Sequence, residues 1–138
     1  MYLLDTNILS ELIKKHPSPL VLSQLDSKPA HTLFTSCICI MELRFGSVLR
    51  EDTEVFWEKV TQEIISRVNI VPIAEREALS AGNILAELRK TGASIGLEDV
   101  LIAASALANQ YIVVTANIRH FSRIKGLKVE NWLEYRGR

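Results

Sequence analysis

The sequence contains no apolar stretch able to cross a bilayer: the longest candidate, Val100–Leu107, falls far short of the ~20 residues a spanning helix needs. It also lacks, near its start, the basic segment, long apolar run and small-residue cleavage site of a secretory signal, because Asp5 interrupts the first apolar residues almost at once. The expected location is the cytoplasm, with no membrane association. Cysteine is scarce. Cys37 and Cys39 are the only two; cysteines separated by one residue in an extended segment have poor geometry for a bridge, so both are expected to be buried thiols in a reducing compartment. Four prolines and six glycines are scattered, which leaves no linker, repeat or low-complexity tract and predicts a single domain over residues 1–138. There is no excess of charge either. Sixteen basic and sixteen acidic residues cancel, which excludes the global positive field of a protein that coats nucleic acid. Any nucleic-acid contact must be local, a pattern that suits an enzyme whose acidic site offsets basic substrate contacts better than a simple binding module.

What is present is a globular composition, 48% hydrophobic and 23% charged, in a chain long enough to bury roughly two-thirds of the surface it exposes when unfolded. Tyr2–Leu4 is a short apolar run ending in the capping cluster Asp5-Thr6-Asn7, after which Ile8, Leu9, Leu12 and Ile13 repeat at helical spacing. Leu20–Leu25 predicts a short second helix with Pro19 tolerated in its first turn. Thr32–Cys37 reads as a strand, and Ile40, Leu43 and Val48 predict a helix after it. Thr53–Ile65 has helical periodicity, Val68–Ile73 is a β-branched run broken only by Pro72, and Glu75–Lys90 predicts an amphipathic helix with Ala78, Leu79, Ala81, Leu85 and Leu88 inward, closed by Gly92. Leu97–Asn109 is apolar nearly all round, Tyr111–Thr115 predicts a buried strand, and Leu127–Val129 an edge strand. Strands alternating with helices predict an α/β fold, a three-layer α/β/α sandwich on a mainly parallel sheet. Ligands of such sheets bind beyond the carboxyl ends of the strands, where the strand order reverses.

Asp5 follows the first strand, Glu42 sits early in the helix after the second, Asp99 begins the alanine-rich helix and Asn117 follows the Tyr111–Thr115 strand. Singly, each has an ordinary explanation: a turn residue, a solvated helix glutamate, a carboxylate favoured by a helix dipole, a turn former. Jointly, the predicted topology places all four at one sheet edge. Three carboxylates gathered there repel one another, and a hard divalent cation is the usual way to keep them ionised; all-oxygen ligands favour Mg²⁺ or Mn²⁺ over Zn²⁺.

The segments Leu3-Leu4-Asp5-Thr6-Asn7-Ile8-Leu9-Ser10, Met41-Glu42-Leu43-Arg44-Phe45-Gly46, Glu98-Asp99-Val100-Leu101-Ile102-Ala103-Ala104 and Val114-Thr115-Ala116-Asn117-Ile118-Arg119-His120-Phe121 resemble, in order, the four signature segments of PIN-domain ribonucleases, the VapC-type toxins of type II VapBC toxin–antitoxin pairs. A short aspartate-threonine-asparagine string alone would carry little weight; the combination spans essentially the whole chain. The resemblance implies an endoribonuclease using Mg²⁺ or Mn²⁺, with Asp5 and Asp99 as direct metal ligands, Glu42 as ligand or water-orienting base, Glu98 as a weaker candidate and Asn117 as a holder of metal-bound water. Thr6 and Asn7 would order the loop around Asp5. Relatives often carry a further acid at the position of Asn117 or His120, and this chain has neither, which leaves a fourth carboxylate and a second metal site without an evident source. The resemblance also implies a VapB-like cognate antitoxin, whose C-terminal segment would occupy the cleft, an RNA substrate and a homodimer.

His16, His31 and His120 lack metal-ligand spacing; His120 reads as a surface-loop residue, with a place at the mouth of the cleft as the alternative. Among Lys14, Lys15, Arg44, Arg50, Arg119 and Arg123, the two next to signature segments, Arg44 and Arg119, are the best candidates for phosphate contact. Phe56, Trp57 and Trp132 read as packing residues. Two other readings stay open: a non-catalytic PIN-fold RNA-binding or protein-interaction domain, and a receiver-like domain phosphorylated on Asp5, which is disfavoured because no lysine follows a late strand in the required setting.

Overall fold

A computed structural model describes residues 1–134. Five strands, β1 (Tyr2–Leu4), β2 (Leu33–Ser36), β3 (Asn69–Val71), β4 (Ile112–Val114) and β5 (Val129–Glu130), form one sheet in the order β3-β2-β1-β4-β5. Every neighbouring pair is parallel. The chain builds outward from β1 on one side and then crosses to the other, so the order reverses between β1 and β4.

Around the sheet lie α1 (Thr6–Leu9, continued by a 3-10 turn through Ile13), α2 (Pro19–Asp26), α3 (Cys37–Val48), α4 (Thr53–Glu63), α5 (Glu75–Thr91), α6 (Leu97–Asn109) and α7 (Ile118–Phe121). Successive side chains of a strand point to opposite faces. Leu3 and Val113 accordingly join a core with Ala81, Ile84 and Leu88 of α5 and the apolar residues of α6, while Leu4 and Val114 join a second core with Ile8, Val21, Leu25, Val60, Ile64 and Trp132. These two cores on opposite faces make the three-layer α/β/α sandwich. Among the described residues no helix is long and apolar enough to cross a membrane.

Several helix ends follow their local chemistry. Ser18 accepts from the Val21 N–H at 3.4 Å with Pro19 in the first turn, and Ser36 accepts from the Ile38 N–H at 3.1 Å. Gly92 ends α5 at φ 75°, a left-handed position that a Cβ disfavours.

Four sequence expectations are corrected. The second strand stops at Ser36, and Cys37 and Cys39 lie in the first turns of α3 rather than in an extended segment; both are free thiols, Cys39 buried and Cys37 half-buried. The Ser36 hydroxyl, by capping Ile38, starts the helix earlier than β-propensity suggests. The buried face of α5 is Glu77, Ala81, Ile84 and Leu88, whereas Ala78, Leu79 and Leu85 are exposed. Glu77 takes an inward position because its carboxylate accepts from the Ala74 N–H at 3.0 Å and from Asn109 Nδ2 at 3.0 Å, fixing the helix rotation. The last strand is Val129–Glu130, shifted from Leu127–Val129. Finally, α7 is an element that the sequence pattern does not predict, because four residues are too few for a periodic signal.

Candidate metal centre

Asp5 leaves β1 at the reversal point, its N–H donating to Val114 O of β4 at 2.9 Å. Asp5 is 4% exposed, and its carboxylate is fixed from three directions: Oδ1 accepts from the Thr6 N–H at 2.8 Å, and Oδ2 accepts from Thr115 Oγ1 at 2.8 Å and Asn7 Nδ2 at 3.3 Å. Asn7 also closes the gap to β4, its Oδ1 accepting from the Ala116 N–H at 3.0 Å. Thr6 and Asn7 therefore order the Asp5 loop as expected. Thr6 does more, because its hydroxyl donates to Glu42 Oε1 at 2.8 Å and ties α1 to α3.

The structure brings Asp5 and Glu42 together although 37 positions separate them in the chain: a carboxylate oxygen of each and the sulfur of Cys39 lie within 4.8 Å of one another. Asp99, at the start of α6, stands outside that tight group and shares a hydrogen bond with His120 Nδ1 at 3.3 Å. Its charge still reaches both partners. Burial chiefly raises the pKa of Asp5, opposed by the Thr115 and Thr6 hydrogen bonds, with the Asp99 charge adding to the rise. Burial also leads the rise at Glu42, opposed by the Thr6 hydroxyl and reinforced by the charges of Asp5, Asp99 and Glu98. Cys39 is pushed up to about 12 by burial and by the Asp5 charge.

Among the described residues, none of Asp5, Glu42 and Asp99 is paired with a lysine or arginine. A carboxylate cluster in which Asp5 and Glu42 have raised pKa values, with no lysine or arginine to neutralise it, fits a divalent cation. Asn117 lies at the same sheet edge and is exposed; its N–H donates to Thr115 Oγ1 at 3.0 Å, and its side-chain amide makes no hydrogen bond among the described residues. Glu98 is exposed and lines a surface recess with Met41, Glu42 and Phe45.

Three residues outside the sequence-derived set reach the cluster. Thr115 reads from sequence only as the end of a strand, although a hydroxyl at the carboxyl end of a strand beside the reversal point is the available signal. His120, a surface-loop histidine by sequence, contacts Asp99. Cys39 reads as an inert thiol because an extended segment hides its helical spacing to Glu42, three residues on. Of the basic candidates, Arg44 engages α4, with Nη2 3.6 Å from Glu54 Oε1 and the guanidinium 5.1 Å from the Trp57 ring centroid. Arg119 is exposed on α7. Trp132 is 2% exposed and packs at 5.3 Å from Tyr2, in keeping with a packing role.

Comparison with known proteins agrees with this geometry. The chain is 37% identical over 132 residues to the Ribonuclease VapC2 of Haemophilus influenzae, covering 96% of this chain and 98% of that protein. It is 32% identical over 139 residues to the tRNA(fMet)-specific endonuclease VapC of Salmonella typhimurium, covering 95% and 97%. A crystal structure of VapBC2 from Rickettsia felis bound to a DNA fragment from their promoter superposes with a TM-score of 0.86 at 33% identity, covering 95% of this chain and 98% of that one. The PIN domain family matches residues 2–127. Parallel sheet, signature segments and acidic edge thus lead to one assignment: the chain belongs to the PIN domain family.

Proposed function

We propose that the chain is a metal-dependent endoribonuclease of one domain that acts in the cytoplasm as the toxin of a toxin–antitoxin pair. The observation that carries this reading is the convergence of Asp5 and Glu42 within one ligand-sized space, with Asp99 close enough to raise the pKa of both. The relatives named as VapC ribonucleases support RNA as the substrate.

Asp5, Asp99 and Glu42 would hold Mg²⁺ or Mn²⁺. When bound, such a cation neutralises charge on the phosphodiester and acidifies water. The chain's own residues then do the rest. Thr6 and Thr115 keep the Asp5 carboxylate in one orientation; Thr6 also aims Glu42, which would serve as a ligand or as the base that orients the attacking water. His120 steadies Asp99, Asn117 offers an amide to a water at the mouth, and in-line attack at phosphorus needs no covalent enzyme intermediate. Arg44 and Arg119 contact substrate phosphates, with Arg44 exchanging its Glu54 partner for RNA. A VapB-like antitoxin and a second copy of the chain are the partners; the VapBC2 complex among the structural relatives supports the first of them.

The reading is tested by incubating purified protein with tRNA, rRNA and mRNA with and without EDTA. Cleavage that EDTA abolishes and Mg²⁺ or Mn²⁺ restores is expected; cleavage indifferent to EDTA contradicts it. Replacing Arg44 and Arg119 together with alanine should weaken RNA binding and reduce the slope of log affinity against log salt by about 1–2, close to 0.7–0.9 for each phosphate left without its cation. An unchanged slope removes both residues from the substrate path.

The raised carboxyls add a stability prediction. A carboxyl whose pKa is higher in the folded chain contributes stability that is full below its unfolded pKa and is lost as pH rises through the folded value. In EDTA, Asp5→Asn should therefore gain on the wild type as pH rises from the acid range to neutrality. Mn²⁺ at a hundredfold excess over its Kd should stabilise the wild type by about 2.7 kcal/mol and the variant far less. Calorimetry across pH with and without Mn²⁺ checks both; a wild-type midpoint that ignores Mn²⁺ counts against the site.

A further inference from the structure

We propose that Cys39 adds a sulfur donor to the Asp5–Glu42 pocket, so that the site also takes one thiophilic divalent cation of the Zn²⁺ or Cd²⁺ class, which excludes Mg²⁺ or Mn²⁺ and silences the enzyme. This deepens the nuclease reading, on which its regulatory part rests.

The first support is placement. Cys39 Sγ, an Asp5 oxygen and a Glu42 oxygen lie within 4.8 Å of one another, a span that small side-chain rotations bring into the coordination sphere of a cation with metal–sulfur and metal–oxygen distances of about 2.3 and 2.1 Å. The second is the state of the sulfur. Cys39 is fully buried, and its contacts to Leu4 O and Asp5 Oδ1 are both long, at 3.9 Å. The two nearby hydroxyls give their hydrogens elsewhere, Thr35 to Leu4 O at 2.7 Å and Thr6 to Glu42 Oε1 at 2.8 Å. The sulfur therefore has only weak contacts and sits beside the Asp5 and Glu42 carboxylates with no lysine or arginine paired to them among the described residues. Glu42 is half-buried and lines a surface recess with Met41, Phe45 and Glu98, so one member of the group is reached from solvent.

Hard cations gain little from sulfur, whereas Zn²⁺ and Cd²⁺ bind it strongly, so the thiol discriminates between the two classes. Coordination breaks the S–H bond, forms a metal–sulfur bond and releases the proton to buffer, with no change of oxidation state. Cys37, half-buried on the same helix, belongs to no such group and serves as the internal control.

The test is a titration of the EDTA-treated full chain with Cd²⁺, read by sulfur-to-cadmium charge-transfer absorption. The wild type should gain the band and saturate at one Cd²⁺ per chain, Cys37→Ser should keep it, and Cys39→Ser should lose it and bind Cd²⁺ at least about tenfold more weakly, since a soft ligand is removed. Absence of the band in the wild type, or its loss in Cys37→Ser with retention in Cys39→Ser, overturns the proposal. Circular dichroism checks that Cys39→Ser folds; should it not, cadmium NMR of the wild type separates sulfur from all-oxygen ligation and gives the same decision. Zn²⁺ should also inhibit Mg²⁺-dependent RNA cleavage more strongly in the wild type than in Cys39→Ser, and equal inhibition removes the regulatory role. A chain that shows the band and never cleaves RNA sinks the nuclease reading alone; a nuclease without the band sinks the thiol site alone.

Discussion

Replacing Asp5 or Asp99 with asparagine is expected to lower Mg²⁺-dependent RNA cleavage by at least about 10²–10³-fold, equivalent to roughly 2.7–4 kcal/mol of lost transition-state stabilisation, while the fold persists. The substitution keeps side-chain shape and removes one negative charge. At Asp5 the amide oxygen can still accept from Thr6 N–H or Thr115 Oγ1, so the loop stays in place. At Asp99 the His120 contact is kept or replaced by an uncharged hydrogen bond. What each variant loses is cation affinity, because two carboxylates hold a divalent ion more weakly than three. Single-turnover cleavage of a labelled RNA, with circular dichroism as the control for folding, measures the effect; full activity in either variant would refute its place in the site.

Truncating either of two adjacent leucines should cost stability on a comparable scale. Leu3 and Leu4 are both fully buried, yet they belong to different cores because β1 is the central strand and turns one side chain to each layer. Leu3→Ala and Leu4→Ala should each destabilise by about 2–5 kcal/mol, the range for a leucine whose cavity cannot collapse. Val55→Ala, at a position 73% exposed, should stay within about 0.5 kcal/mol of the wild type. Urea denaturation gives all three. If only one of the two leucines proved costly, one layer would be missing and the sandwich would be wrong.

Much of this architecture is legible in the residues. The alternation of β-branched runs with helical periodicity gives the parallel sheet, and Pro19 in the first turn of α2 and Gly92 at the end of α5 mark helix ends without tertiary information. The acidic edge is legible for the same reason: once strands alternate with helices, residues just beyond strand ends must share a side. What periodicity misreads is the rotation of a helix whose inward position is polar. Glu77 turns α5 away from the face that Leu79 and Leu85 suggest, because a capping carboxylate joined to Asn109 outweighs two leucines at the rim. Cys39 is hidden by the one-residue choice of where β2 ends, since a strand and a helix send that side chain to different places. Thr115 and His120 act through partners 110 and 21 positions away, and no local pattern reveals such pairings.

Side chains distant in sequence are held to share one cation, and anomalous diffraction from crystals grown with Mn²⁺ tests that claim most directly. One peak is expected about 2.1 Å from carboxylate oxygens of Asp5 and Asp99, with Glu42 bound to it directly or through a water. A peak elsewhere on the surface, or none at saturating Mn²⁺, would contradict it.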